Sequence, residues 1–168
     1  MGLDLARLPA ADAPIIDSVR FGTYSSVHKF RKMLVLLTAR HYLLAGQKEV
    51  ADEAMALFPG DYPEEWAELL TNDTTLFGDA SSLLDGENVY PVTEYVKNER
   101  LDGLCKFVNH SDCDGRHSRG DVADIAALFE TVEQTAKETL GGEERSWFND
   151  IGSFFLAARD GHEYITYC

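Results

Sequence analysis

At 168 residues, with 45 % apolar and 26 % charged positions, the chain has the size and composition of one globular domain that can bury a core without disulfides or metals. A formal net charge of -14 argues against nucleic acid or an anionic membrane as partner, and no apolar run approaches the roughly 18 residues of a membrane span. Three cysteines, Cys105, Cys113 and Cys168, make no disulfide framework and point to a reducing compartment, the cytoplasm; the start lacks the pattern of a secretion signal, and Ala6 stands where a myristoylation signal wants Ser or Thr.

The charge is segregated. Ser18 to Lys48 holds no Asp or Glu but six bases, Arg20, Lys29, Arg31, Lys32, Arg40 and Lys48, whereas the chain from Glu49 onward holds 26 acids against 8 bases. A basic segment inside an acidic protein either pairs with the acidic remainder or receives an anion or acidic partner.

The first periodic signal runs over 26–46. Val27, Phe30, Leu34, Leu37, His41 and Leu44 recur at alternating spacings of three and four, one stripe of a helix, and Met33, Val35 and Leu36 bury its middle on most sides. Ser25 or Ser26 is the natural N-cap and Gly46 the stop. Lys29, Lys32 and Arg40 share a face on which an acidic neighbour or ligand would dock. A second helix is predicted over 49–57, ended by Phe58-Pro59-Gly60. A third opens at Pro63 and carries Trp66, Leu69 and Leu70 inward.

Residues 71–90 read as a long loop with one turn near 81–84. Pro91 then begins a helical stretch through Val92, Tyr95 and Val96 that continues through Leu101, Leu104, Cys105 and Val108. After a polar segment, Ser118 with Asp121 has capping-box spacing and opens a helix striped by Val122, Ile125, Phe129 and Val132. Gly141-Gly142 ends it. A last helix over 143–159 is predicted to bury Trp147, Ile151, Phe154 and Phe155. The tail 162–168 is β-prone and is suited to pair with an extended N-terminus around Leu3 to Leu8. These elements predict a mainly α fold over 1–168, a compact single-domain bundle of about six helices with at most a small two-stranded β element.

The segment His110-Ser111-Asp112-Cys113-Asp114-Gly115-Arg116-His117 concentrates most of the chemistry. With Gly115 at the sixth place of a calcium loop, His110, Asp112 and Asp114 fall at the first, third and fifth, and Asp121 at the twelfth. The first ligand should be Asp and the last Glu, so this is at best a degenerate EF-hand-like loop. Against it stands a turn in which Asp112 and Asp114 bond local amides. Cys105, His110, Cys113 and His117 are zinc-type ligands at no standard spacing. Cys113 with His110 or His117, and Asp114 as orienter, has the residue types of nucleophilic catalysis, but such groups usually come from separate elements. Ser25 and Ser26, with Lys29 and Arg31 nearby, have the types that hold a phosphate or carboxylate at a helix start.

Motifs also carry a resemblance. Met1-Gly2-Leu3-Asp4, then Phe21-Gly22-Thr23-Tyr24-Ser25-Ser26 with Phe30-Arg31, then His110-Ser111-Asp112-Cys113-Asp114-Gly115, resemble a family of small uncharacterised bacterial and phage proteins. That family has an N-terminal Met-Gly-Leu-Asp and a Phe-Ser-Asp-Cys-Glu-Gly motif. His110 replaces the family's Phe, and His117-Ser118 replaces a Gly/Ile-type turn. The likeness implies no activity; it implies that the Ser25 region and the acidic loop belong to one scaffold and meet in space.

Taken together, the sequence points to a non-enzymatic binding or interaction protein. Its site is expected near the basic helix start (Ser25, Ser26, Lys29, Arg31) and the loop carrying Asp112 and Asp114, with an unidentified small molecule or protein as partner and no resident cofactor. The alternatives are a small metal-assisted or Cys/His-dependent enzyme built on His110, Cys113 and Asp114, and a degenerate calcium module on the loop His110, Asp112, Asp114 and Asp121; Asp112, Asp114, His110 and His117 are the weak metal candidates. Calcium or zinc would be the metal.

Overall fold

A computed structural model describes residues 3–58, 66–71, 91, 94, 96–110 and 115–168, the side chains of Trp66 and Leu69 aside. In chain order the elements are β1 (Leu3–Leu8), β2 (Asp17–Gly22), α1 (Tyr24–Leu44), α2 (Lys48–Met55), α3 (Trp66–Thr71), a 3-10 turn (Glu99–Leu101), α4 (Asp102–Val108), β3 (Arg116–His117), α5 (Arg119–Thr139), α6 (Gly142–Asp160) and β4 (Tyr164–Tyr167).

The mainly α expectation is overturned. The strands form one four-stranded antiparallel sheet in the order β2-β1-β4-β3, so the fold is α+β. The expected pairing of tail with N-terminus is present, Leu5 opposite Tyr167 and Leu8 opposite Tyr164, and it occupies the centre of the sheet. Two strands escaped the reading for physical reasons. In β2 only Val19 and Phe21 turn to the core, while Asp17 and Arg20 give the segment a loop-like polarity. Asp17 lies opposite Arg7 on β1 and pairs with it at 3.3 Å. β3 is two residues long, and its existence depends on β4 being there to pair with.

The helix α1 is the axis of the core. Every residue from Phe30 to Arg40 is buried, which no one-sided stripe would achieve; the sheet, α2, α3 and α5 share its surface. Its N-cap is Thr23, two to three residues before the serines expected there, and Thr23 Oγ1 accepts from the Ser26 amide. Lys32 and Arg40 are not on a solvent face: both are buried, and Arg40 Nη1 donates to the Leu70 carbonyl at 2.7 Å. Burying cations is costly unless they are hydrogen-bonded, and a carbonyl supplies that bond without a second charge.

The helix expected from Pro91 begins only at Glu99; Val96 to Asn98 are not helical, and the Asn98 side chain caps the 3-10 turn by accepting from the Arg100 amide. The Ser118/Asp121 capping box forms as spaced, at the start of α5. Thr71, the first residue of the predicted loop, instead ends α3; the rest of that loop, 72–90, the stop at Pro59-Gly60 and the start at Pro63 lie outside the described residues. The core itself is an aromatic cluster. Phe30 meets Trp147 at 4.8 Å, Phe21 at 5.3 Å and Phe107 at 5.7 Å, and Phe107 meets Phe155 at 5.8 Å. These separations fall in the range of favourable edge and tilted ring contacts, and they tie sheet, α1, α4 and α6 into one interior.

Candidate functional site

Where β2 turns into α1, a cleft of about 290 Å³ opens, lined by Phe21, Ser26, Lys29, Glu143, Glu144 and Trp147. Two helix starts converge on it. Ser26 and Lys29 project from the first turns of α1, which has no acidic residue in its opening turn. Glu143 and Glu144 occupy the first turn of α6, with Trp147 one turn on. Phe21, at the end of β2, is buried and meets Trp147 edge-on at 6.2 Å. The result is an aromatic floor between a wall with a hydroxyl and an ammonium and a wall with two carboxylates. Gly22 makes the turn possible: its φ is +128°, and a Cβ there would lie 2.9 Å from Ser26 Cβ. The hydroxyls of Thr23, Ser25 and Ser26 form a small network at the rim, with Thr23 Oγ1 at 2.9 Å from each serine oxygen.

A second polar cluster lies on the other side of α1. Arg31, 2 % exposed, donates through Nη2 to the His110 carbonyl at 2.6 Å. The His110 ring stacks on Tyr167, with centroids 4.4 Å apart and planes 17° apart, and it sits 4.0 Å from the His117 ring. His117 is 1 % exposed, and its Nε2 is 3.2 Å from the Tyr167 hydroxyl. Burial, reinforced by neighbouring His110 and the Arg31 guanidinium, pushes the His117 imidazole down to about 3 against an opposing pull from Asp121. Gly115 closes over this stack, since a Cβ there would lie 2.5 Å from His110 Cε1. Its carbonyl accepts from the Thr166 hydroxyl at 3.0 Å and from the Tyr167 amide at 3.3 Å.

The structure therefore divides the residues singled out from sequence. Ser26 and Lys29 line the cleft, and Ser25 belongs to the hydroxyl network at its rim. Arg31 is bonded to the His110 carbonyl inside the fold. Asp112, Cys113 and Asp114 lie outside the described residues. Asp121, the twelfth position of the supposed calcium loop, caps α5 by accepting from the Ser118 amide and pairs with Lys106 at 3.3 Å. Burial alone would raise its carboxyl, but the bonds from Ser118 and Lys106 outweigh it and hold the group below its usual value. Cys105 packs half-buried against the core, and burial with Asp102 nearby raises its thiol to about 11, the behaviour of a structural thiol rather than a thiolate ligand. Among the described residues no group of three or more His, Cys, Asp or Glu is arranged to hold a metal ion, and no helix is long and apolar enough to cross a membrane.

Sequence reasoning missed the α6 wall. Its periodicity predicts Trp147 in the core; Trp147 packs against the core but is only partly buried and floors the cleft. The available signal was Gly142-Glu143-Glu144 opening a helix with Trp147 on its next turn; what no spacing supplied was that this helix start faces that of α1. A wider hollow of about 650 Å³ is lined by Glu53, Lys97, Asn98, Glu99 and Arg100. Among the described residues its lining side chains are all polar or charged, whereas the smaller cleft has two aromatic ones, which makes that cleft the better candidate. The chain matches no protein-family model, and neither a curated protein nor a solved structure is significantly similar to it.

Proposed function

We propose that this chain is a non-enzymatic, cytoplasmic binding protein whose site is the cleft between the starts of α1 and α6, taking a small molecule without a resident cofactor. One observation supports the reading above others: an aromatic floor of Phe21 and Trp147 set between polar walls that carry opposite charge. A pocket that orients ligands needs apolar area for affinity and a few placed polar groups for direction, and both are here within a volume of about 290 Å³. The indole N–H of Trp147 has no hydrogen-bond partner among the described residues, which leaves it available as a further donor.

The test is an NMR fragment screen on the labelled protein. Binders are expected to shift the amide signals of Ser26, Lys29 and Glu144 and the indole signal of Trp147 together, and Trp147→Ala is expected to abolish those responses while the rest of the spectrum keeps its dispersion. Hits that leave these four signals unmoved, or no hits at all, would remove the cleft as the site.

A further inference from the structure

Several bases of this acidic chain are matched by acids: Arg7 pairs with Asp17 and Glu163, Lys106 with Asp121 and Asp124, and Arg159 with Glu130 and Asp160. Arg116 and Arg119 are different. Both are exposed, and both guanidiniums lie over one ring, that of Tyr164, at 5.9 Å and 4.9 Å from its centre. Among the described residues neither has a carboxylate within ion-pair distance. The described acid nearest to them in sequence, Asp121, is occupied by the Ser118 amide and Lys106. Two such cations gathered on one ring stand out in a chain of net charge -14.

The register of the sheet puts this cluster on the face turned away from the core. His117 and Ile165 lie opposite each other and are buried, so Arg116, opposite Thr166, and Tyr164, two residues before it, turn the other way. Contact with the ring holds each guanidinium by its flat face and leaves its N–H edge available, the edge that takes an oxyanion through two bonds. Arg119 spends one donor, from Nη2, on the Pro9 carbonyl at 2.8 Å, which fixes the side chain against the β1–β2 hairpin. The same hairpin carries Ile15 and Ile16, each more than half exposed. The Tyr164 hydroxyl has no hydrogen-bond partner among the described residues and adds a neutral donor. Asp121 in the first turn of α5 offsets the positive end of that helix, so the attraction for an anion comes from the guanidiniums.

We propose that Arg116, Arg119 and Tyr164 form a second binding site, at the opposite end of the sheet from the cleft, that takes a phosphoryl dianion, free or as an organic monoester. Two guanidiniums match a doubly charged group, whereas a carboxylate neutralises only one of them. The chain's remote carboxylates do not forbid this, because charges beyond about 10 Å are largely screened at physiological salt. A monoester can also lay its organic group on the hairpin isoleucines, an advantage that inorganic phosphate lacks.

The experiment titrates inorganic phosphate, phenyl phosphate and benzoate into the isotopically labelled full chain, at constant ionic strength and about pH 7.5, where a monoester is doubly charged. The Nε–H signals of Arg116 and Arg119 and the Tyr164 amide are expected to move together and to saturate with both phosphates, at least about fivefold more tightly than with benzoate. The Trp147 indole signal should stay in place. Arg116→Gln and Arg119→Gln should each weaken phosphate binding at least about fivefold with the spectrum otherwise dispersed as before. Arg20→Gln, which removes another exposed arginine of the sheet, should leave it within about twofold.

Phenyl phosphate binding more tightly than inorganic phosphate would identify a monoester as the ligand, and equal affinity would identify free phosphate; either result carries the site. Shifts that never saturate, benzoate binding as tightly as the phosphates, or Arg20→Gln as damaging as Arg116→Gln would reduce the effect to diffuse attraction and overturn the proposal. Movement of Trp147 in place of the arginine signals would overturn it as well, by assigning the phosphate to the cleft.

Discussion

Lys29 and Arg31 are two residues apart on the same helix, and the fold uses them in opposite ways. Two residues is about 200° of helix rotation, so Lys29 is turned to the open cleft with Trp147 while Arg31 is turned inward, 2 % exposed, onto the His110 carbonyl. In the inward cluster Arg31 Nη2 is bonded to the His110 carbonyl and His117 Nε2 to the Tyr167 hydroxyl. The cleft arranges its polar atoms around a void. Residue type alone does not separate a structural cation from a site cation; helix phase and what lies opposite do. The contrast predicts that changes in the inward cluster act on stability and that changes in the cleft act on binding.

The largest effect should be that of pH on the inward cluster. His117 titrates at about 3 in the fold against an ordinary 6.5. Between those values the unfolded chain takes up a proton that the folded chain does not, so stability is complete above about pH 6.5 and falls as the pH drops, by roughly 4 kcal/mol at the bottom of the window. Asp121, whose carboxyl is held below its usual value, has the same sign but acts only at the acid end, below about pH 4. Urea midpoints measured from pH 7 to pH 4 should therefore decline steeply in the wild type. They should decline much less in His117→Gln, whatever that variant's starting stability. Equal slopes for the two proteins would show that His117 is not held neutral by burial, and the inward cluster would lose its distinction.

Next in size, Arg31→Met should cost about 2–3 kcal/mol, because it leaves the His110 carbonyl without its donor inside the fold and trades a fitted side chain for a shorter contact. Chemical denaturation reads this directly, and ligand shifts at Trp147 should persist in the folded variant. Smaller again is Ser118→Ala. Ser118 Oγ accepts from the Asp121 amide at 3.1 Å in the capping box of α5, and loss of such a cap costs about 1 kcal/mol. Asp121 pulls on the His117 charge, so this variant tests whether the helix start supports the histidine stack. A cost indistinguishable from zero would say that it does not.

The parts of this architecture that were legible in sequence are those whose signal is local. The α1 stripe from Val27 to Leu44, the Ser118/Asp121 box and the aromatic face of α6 each repeat within a few residues, because the helix that satisfies them is itself local. The sheet was less legible. β1 and β4 were paired on β-propensity, but β2 spends Asp17 on Arg7 and β3 has only Arg116 and His117, so neither carries an alternation long enough to read. The site was half legible. Ser26 and Lys29 could be singled out as a basic helix start, whereas Glu143, Glu144 and Trp147 reach them only through the packing of Phe21 and Phe30 against the indole. His110 and His117 looked like ligands or catalysts by type; their stacking on Tyr167, from the far end of the chain, makes them an internal seam.

The smallest expected effect is the sharpest test of the contrast. Glu144→Gln should change stability by no more than about 0.5 kcal/mol. Its carboxylate gains a few tenths of a kcal/mol from the positive end of α6, but it sits beside Glu143 in a chain of net charge -14, and relief of that repulsion offsets most of the loss. Lys29→Gln should be similarly mild, since a half-buried lysine on a helix flank contributes through a screened charge and an apolar stem that glutamine partly keeps. Thermal melts at moderate salt, run beside Arg31→Met, give the comparison within one helix. A cost above 1 kcal/mol for either cleft variant would mean that the wall holds the fold together as the inward cluster does, and that the void between Ser26 and Glu144 is an incidental gap in packing. Near-neutral stability with an altered response to cleft-binding fragments would mean that these side chains act on binding rather than on the fold.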